Sequence, residues 1–282
     1  MIARIICSAL VSMVMVLAVA AEKGPIEGRL VQWHPLTFSF EGPAAAETDS
    51  SPNPFLDIRL QVTFTGPGDK RYDVPGFFDG DGKSGPKGNV WRVRFSPDAP
   101  GEWKFEAKFR SGPGAAIALE PEAGQAIPLP NLSGAFNVAP RDPAAPGFAK
   151  WGRLGYVGKH YLKFADGPYW IRGGTDEPED FLGYAGFDRT PPKHKYAAHV
   201  EDWRPGDPDW GDGQGKGIIG ALNYLAAQHV NSIFFLTMNI GGDGKDVWPW
   251  CGQMNPKGSE SNDNLHYDTN KLRQWEVVLS HA

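Results

Sequence analysis

The sequence predicts a multidomain chain: an all-β sandwich followed by the N-terminal part of an α/β barrel of the TIM type. Three observations carry this expectation. The first part holds several runs that alternate apolar and polar residues with period two. The second part alternates strand-like and helix-like segments. Its strand-to-helix connections are long, and its helix-to-strand connection is very short.

Residues 1–21 have the layout of a secretory signal. Arg4 gives the positive start, Ile5 to Leu17 the apolar core, and Ala18-Val19-Ala20 the small-residue cleavage pattern. That core is too short for a comfortable membrane span. The expected destination is therefore secreted or periplasmic, with no membrane association after cleavage. Cys251 is then the one cysteine of the mature chain, which argues against an intramolecular disulfide and a cysteine-based metal cluster. A formal net charge of −5 argues against nucleic acid as a partner. The 35 Gly, 25 Pro and 10 Trp imply many loops and many aromatic surfaces, a combination that suits carbohydrate.

Residues 24–140 form the first expected domain. Leu36–Phe40, Asp57–Phe64, Trp91–Phe95 and Trp103–Phe109 each alternate, and Phe136 with Val138 marks a last strand. One face of each strand is then buried and the other wet, as in a sandwich of two sheets. Turns fall at Gly66-Pro67-Gly68, Asp79–Gly82 and Pro97–Gly101. An immunoglobulin-like sandwich follows from this pattern. The Asp79–Lys83 run lacks the ligand set of a calcium loop and reads as a solvated hairpin turn.

The motifs Asn53-Pro-Phe-Leu-Asp57, Val74–Gly80, Trp91–Pro97 and Pro100-Gly-Glu-Trp103 resemble an immunoglobulin-like domain of unknown function. That domain commonly precedes glycoside-hydrolase-like barrels in secreted bacterial proteins. A proline-rich linker follows at 141–150.

Residues 151–282 make the second expected domain. Asp166-Gly167 turns between two short strands, and the second strand runs into Gly173-Gly174. Gly217–Gln228 has helical periodicity, as does a last segment that starts near Asp268, a plausible N-cap. Between them Val230–Ile240 is rich in β-branched and aromatic residues and reads as a strand buried on both faces. The glycines at 241, 242 and 244 lack the spacing of a dinucleotide fingerprint. A barrel of this type needs about 250 residues, and only two strand–helix repeats are present. The chain is thus expected to be a truncated fragment.

Candidate substrate-binding residues are Asp176, Asn239, Asp243, Asp246, Trp248, Trp250 and His266. Carboxylates and amides suit sugar hydroxyls, and indoles suit the flat C–H faces of sugar rings. Asp176 either contacts substrate or accepts backbone N–H groups of the Gly-Gly turn. Asn239 either binds ligand or satisfies a loop. Trp248 and Trp250 form either a stacking platform or a satellite core. His194 and His199, five apart, do not make a metal motif. No metal and no cofactor are expected.

Asp166–Asp176, Asn231–Asn239 and Tyr267–Trp275 also resemble secreted bacterial barrels of the glycoside hydrolase clan (clan A type) that uses two carboxylate catalysts. The resemblance implies a polysaccharide or oligosaccharide substrate. It also implies catalytic carboxylates at later strands, beyond Ala282. The expected function is a secreted glycoside hydrolase, with a non-catalytic carbohydrate-binding or adhesion protein as the alternative.

Overall fold

The structure is a computed structural model that describes residues 25–83, 85–158, 160–174, 179–190, 194–238, 247–252 and 264–282. Nine strands come first: β1 (Ile26–Glu27), β2 (Leu36–Ala46), β3 (Ile58–Gly66), β4 (Lys70–Pro75), β5 (Phe77–Phe78), β6 (Lys87–Phe95), β7 (Gly101–Ser111), β8 (Gln125–Ile127) and β9 (Ser133–Val138). They make two antiparallel sheets. One has the order β1-β2-β6-β5 and the other β4-β3-β7-β8, with β9 also paired to β7.

Alternation decides which side chains enter the space between the sheets. On β3, Ile58, Leu60, Val62 and Phe64 are buried. On β7, Trp103, Phe105, Ala107 and Phe109 are buried, whereas Glu102, Lys104, Glu106 and Lys108 are exposed. The register places Leu60 opposite Phe109 and Phe64 opposite Phe105. From the other sheet, Phe38, Phe40, Trp91 and Val93 complete one shared core. Phe64 and Phe95 stack with ring centroids 4.1 Å apart, and Phe38 meets Phe64 edge-on at 5.0 Å. The two buried indoles keep their N–H groups satisfied. Trp91 donates to the Pro43 carbonyl and Trp103 to that of Ala99, both at 3.0 Å. The Trp103 ring lies flat against Gly66, where an added Cβ would come within 2.5 Å of it.

The second half begins with a single helical turn, α1 (Gly147–Trp151), and a small antiparallel sheet of β10 (Leu154–Tyr156), β11 (Leu162–Phe164) and β12 (Tyr169–Trp170). A 3-10 turn over Ala197–Asp202 then packs on α2 (Lys216–Ala227), and α3 (Thr269–His281) follows. Gly220 permits the close approach of that turn to α2, because a Cβ there would sit 1.8 Å from the His199 carbonyl oxygen. Phe181, Leu182, Phe187, Ile218, Ile219, Leu222, Trp275 and Val278 form the second core. Asp268 caps α3, its Oδ1 accepting the Lys271 N–H at 2.9 Å.

The expected fold class, an immunoglobulin-like sandwich followed by the N-terminal part of a TIM-type barrel, needs correction. The described residues are mostly antiparallel sheet with few helices, and no closed barrel is among them. Parallel contact is confined to isolated bridges, one of which joins Gly174 to Ser232. Apart from that bridge, residues 230–238 form no strand. The reason is lateral: a parallel strand is buried only where neighbours and helices cover both of its faces. Here Ile233 and Phe235 pack against the second core, while Phe234 and Met238 remain 43% and 40% exposed. The apolar run is therefore half covered. No described helix is long and apolar enough to cross a membrane.

The core of the first half sets a stability prediction. Trp103→Ala removes a fully buried indole between rigid sheets, and should cost about 3–5 kcal/mol by urea denaturation. A loss below about 1 kcal/mol would mean that the site collapses around the cavity.

Candidate functional site

Four of the expected binding residues, Asp176, Asn239, Asp243 and Asp246, lie outside the described residues. The other three come together near the start of α3. Trp250 pairs with Tyr267 in an antiparallel bridge, and their rings stack at 6.2 Å. Trp248 lies beneath the Lys271 ammonium, which stands 4.4 Å from its ring centroid. Trp248 is 1% exposed and Trp250 is 9% exposed. These indoles occupy the satellite-core position and present no open platform. His266 turns toward the first half, with Nε2 3.1 Å from the Asp49 carbonyl oxygen.

A buried ionic cluster surrounds the two tryptophans. Glu47, from the end of β2, accepts Thr269 N–H at 3.0 Å and Thr269 Oγ1–H at 2.9 Å through Oε2. Its Oε1 accepts Arg189 Nη2 at 3.2 Å. Arg189 Nη1 also stands 3.6 Å from Asp268 Oδ2. Lys271 Nζ donates to the carbonyls of Arg189 at 3.3 Å and Trp248 at 3.4 Å. Burial pushes the Lys271 pKa down to about 8, against the pull of Asp268 and Asp188. Burial likewise raises the Asp268 pKa, although the Lys271 backbone N–H and Arg189 oppose it. The Cys251 thiol is pushed up to about 12, by burial first and then by Glu47, so it is no nucleophile at neutral pH. Lys271 is wholly buried and cannot meet a substrate. The cluster anchors α3.

The acids and histidines of the earlier loop are engaged locally. His194 Nε2 stands 2.8 Å from Asp180 Oδ2, close enough for ion pairing but misdirected for a hydrogen bond. His199 Nδ1 meets Asp202 Oδ2 at 3.0 Å. Asp207 Oδ2 accepts the Arg204 N–H and the Asn223 amide. Asp188 Oδ2 accepts the Asn270 amide at 3.2 Å. Among the described residues no group of His, Cys, Asp and Glu could hold a metal ion.

The open concavity lies elsewhere. A cleft of about 950 Å³ is bounded by residues of β3, β4, β7 and the β4–β5 crossover, and by residues of α3. Arg59, Arg71, Arg94, Lys108, Arg110 and Arg273 line it, together with Asp73, Asp79, Glu122 and Glu276. Phe77 and Tyr267 are 36% and 37% exposed there. Asp79 Oδ2 joins the two halves, meeting Arg92 Nη1 at 2.6 Å and Arg273 Nη2 at 2.7 Å. Asp79 is thus buried in an ion pair, and the solvated hairpin expected at 79–83 does not include it. Arg94 pairs with Glu276 of α3 and covers the Phe77 ring at 5.0 Å. Arg110 pairs with Glu122 at 2.7 Å. This cleft was not anticipated from the sequence. The only signal was the run of charged residues on the wet faces of β4 and β7.

Two predictions follow from the anchor. Glu47→Ala leaves Thr269 and Arg189 without their acceptor, at a cost of about 3–5 kcal/mol. Hydrogen exchange should show α3 amides losing protection while β3 and β7 keep theirs; unchanged α3 protection would refute the anchor. The second concerns Lys271, whose folded pKa of about 8 lies below the ordinary lysine value of 10.5. Between those values the unfolded chain binds more protons, so stability rises with pH, and the full burial cost applies below pH 8. From pH 7 to 10.5 the wild type should gain about 3 kcal/mol relative to Lys271→Met in urea denaturation. A pH-independent difference would show that Lys271 does not titrate in this window.

Residues 29–110 match the family described as a domain of unknown function, DUF5060. No curated protein matches the chain. Among solved structures, the chain is similar to a crystal structure of a proposed glycoside hydrolase from Bacteroides vulgatus. The TM-score is 0.51 at 20% sequence identity, over 89% of this chain and 38% of that one. The chain thus spans well under half the length of that structure. A DUF5060 segment at the front of the chain, within a fold shared with part of that protein, is what the comparisons place here.

Proposed function

We propose that this chain belongs to a secreted or periplasmic carbohydrate-active protein of the glycoside hydrolase kind, with a polysaccharide or oligosaccharide substrate. The observation that carries the reading is the likeness to the Bacteroides vulgatus structure over 89% of the chain. The open cleft supports it. Exposed aromatic rings beside charged and amide groups suit a ligand with hydroxyls and flat C–H faces. No catalytic residue is assigned.

A second reading, a non-catalytic carbohydrate-binding protein, is favoured by one feature of that cleft. The four carboxylates of its lining, Asp73, Asp79, Glu122 and Glu276, each stand against a guanidinium, Asp79 in a buried pair and Asp73 in an exposed one at 3.2 Å. A glycosidase instead needs one carboxyl group free to give a proton and another free to act as base or nucleophile.

The test is to incubate the purified chain with a panel of polysaccharides and follow both reducing ends and electrophoretic retardation. Release of reducing ends supports the hydrolase reading. Retardation without release supports the binding protein. Neither effect with any polysaccharide would overturn both.

A further inference from the structure

We propose that the cleft that runs from the outer face of β3, β4 and β7 past the β4–β5 crossover to helix α3 binds an anionic saccharide, carrying carboxylate or sulfate groups. The saccharide part of this inference rests on the function proposed above; the anionic part rests on the cleft alone.

The strand register assembles the charges. Gln61 stands opposite Lys108, Arg59 opposite Arg110, and Thr65 opposite Arg71. Their side chains leave the outer face of the sheet, so cations recur along β3 from Arg59 to Thr65, roughly 20 Å of strand, interrupted at Thr63 by Asp73 and Glu106 on the same face. The lining of the cleft holds six cationic side chains against four carboxylates, whereas the whole chain carries a formal charge of −5. Local charge and overall charge have opposite signs, so the cationic surplus is a property of this surface.

The cations are held in different ways, with Arg94, Arg110 and Arg273 paired to Glu276, Glu122 and Asp79. Arg59 is built into the wall. Its guanidinium donates to the carbonyls of Ala118, Glu120 and Pro121. Arg71 and Lys108 are different. Their side chains are 64% and 61% exposed, and their carboxylate contacts, Asp73 at 3.2 Å and Glu106 at 3.7 Å, are solvent-exposed pairs. Such pairs contribute little to stability, because solvent screens them. A ligand anion can replace them at small cost, and a guanidinium binds carboxylate or sulfate oxygens in forked geometry. Phe77 and Tyr267, each partly exposed in the same cleft, offer to the apolar side of a sugar the ring surface that Arg94 and Trp250 leave uncovered. Charge and aromatic surface together match an acidic sugar better than a neutral one or a simple ion.

The experiment compares the full chain with the double variant Arg71→Glu/Lys108→Glu and with Lys87→Glu, an exposed control on β6 outside the cleft. Probes are oligogalacturonate, a sulfated dextran oligomer and the unmodified dextran oligomer, titrated by calorimetry at low and physiological salt. The expected result is binding of at least one anionic probe but not of the neutral oligomer. Affinity should fall at least tenfold in the double variant and stay within twofold in the control. Preference between the two anionic probes identifies carboxylate or sulfate as the recognised group. Three outcomes would overturn the proposal: equal affinity for the neutral oligomer, no anionic binding, or equal loss in the control. Circular dichroism of the exposed-site variants separates lost binding from lost fold. Anionic binding without any polysaccharide cleavage leaves the cleft standing and favours the binding-protein reading of this chain; cleavage without anionic binding sinks the cleft and leaves the hydrolase reading.

Discussion

The Glu47 carboxylate is the constraint on which the arrangement of the two halves depends. It leaves the end of β2 almost wholly buried and meets the first N–H of α3, the Thr269 hydroxyl and the Arg189 guanidinium. A helix start has unsatisfied N–H groups and partial positive charge. Asp268 satisfies one of these groups from within the helix's own chain, and Glu47 satisfies another from across the junction. The two acids lie close to one another, and Arg189 stands between them. Remove the arginine and two carboxylates would share a buried site with only the Lys271 ammonium beside Asp268 to offset their repulsion.

Buried charges of this kind are weak contributors to net stability, because desolvation cancels most of the attraction. Their effect is on geometry. An apolar contact between α3 and the first half could slide by a residue; a carboxylate bonded to one backbone N–H cannot. Two further ion pairs, Asp79 with Arg273 and Arg94 with Glu276, repeat the constraint along the helix. Residues 273 and 276 are three apart, so they share one face, which is the face turned to the sheets. The opposite side carries Trp275 and Val278 into the second core. Helix α3 is thereby committed on two sides.

How far the sequence revealed this differs between elements, for physical reasons. The strands of the first half alternate cleanly because one face of each is buried, and Ile58, Leu60, Val62 and Phe64 point inward as the period demands. The start of α3 was legible because an N-cap is a local matter of one side chain and one N–H. Val230–Ile240 was misread because an apolar run states only that burial is favourable. It does not state what will cover it, and among the described residues cover comes from one side. Trp248 and Trp250 could be platform or core by composition; burial under Lys271 and beside Tyr267 made them core. The cleft was invisible for a different reason. Its walls come from β3, β4, β7 and α3, which are far apart in the chain, so no local spacing records it.

That distance gives the cleft a dependence of its own. One wall is the outer face of a sheet, fixed by the sandwich core. The other wall includes Tyr267, Arg273 and Glu276, held in place by α3. The shape of the cleft at α3 is therefore set by the anchor at Glu47, which does not line it, and by the Asp79 and Arg94 pairs, which do. A ligand that bridges the two walls binds only the docked arrangement of α3. By linkage, it stabilises that arrangement by the same free energy with which docking improves its affinity. The buried cluster and the open cleft, unrelated in chemistry, are coupled through one helix.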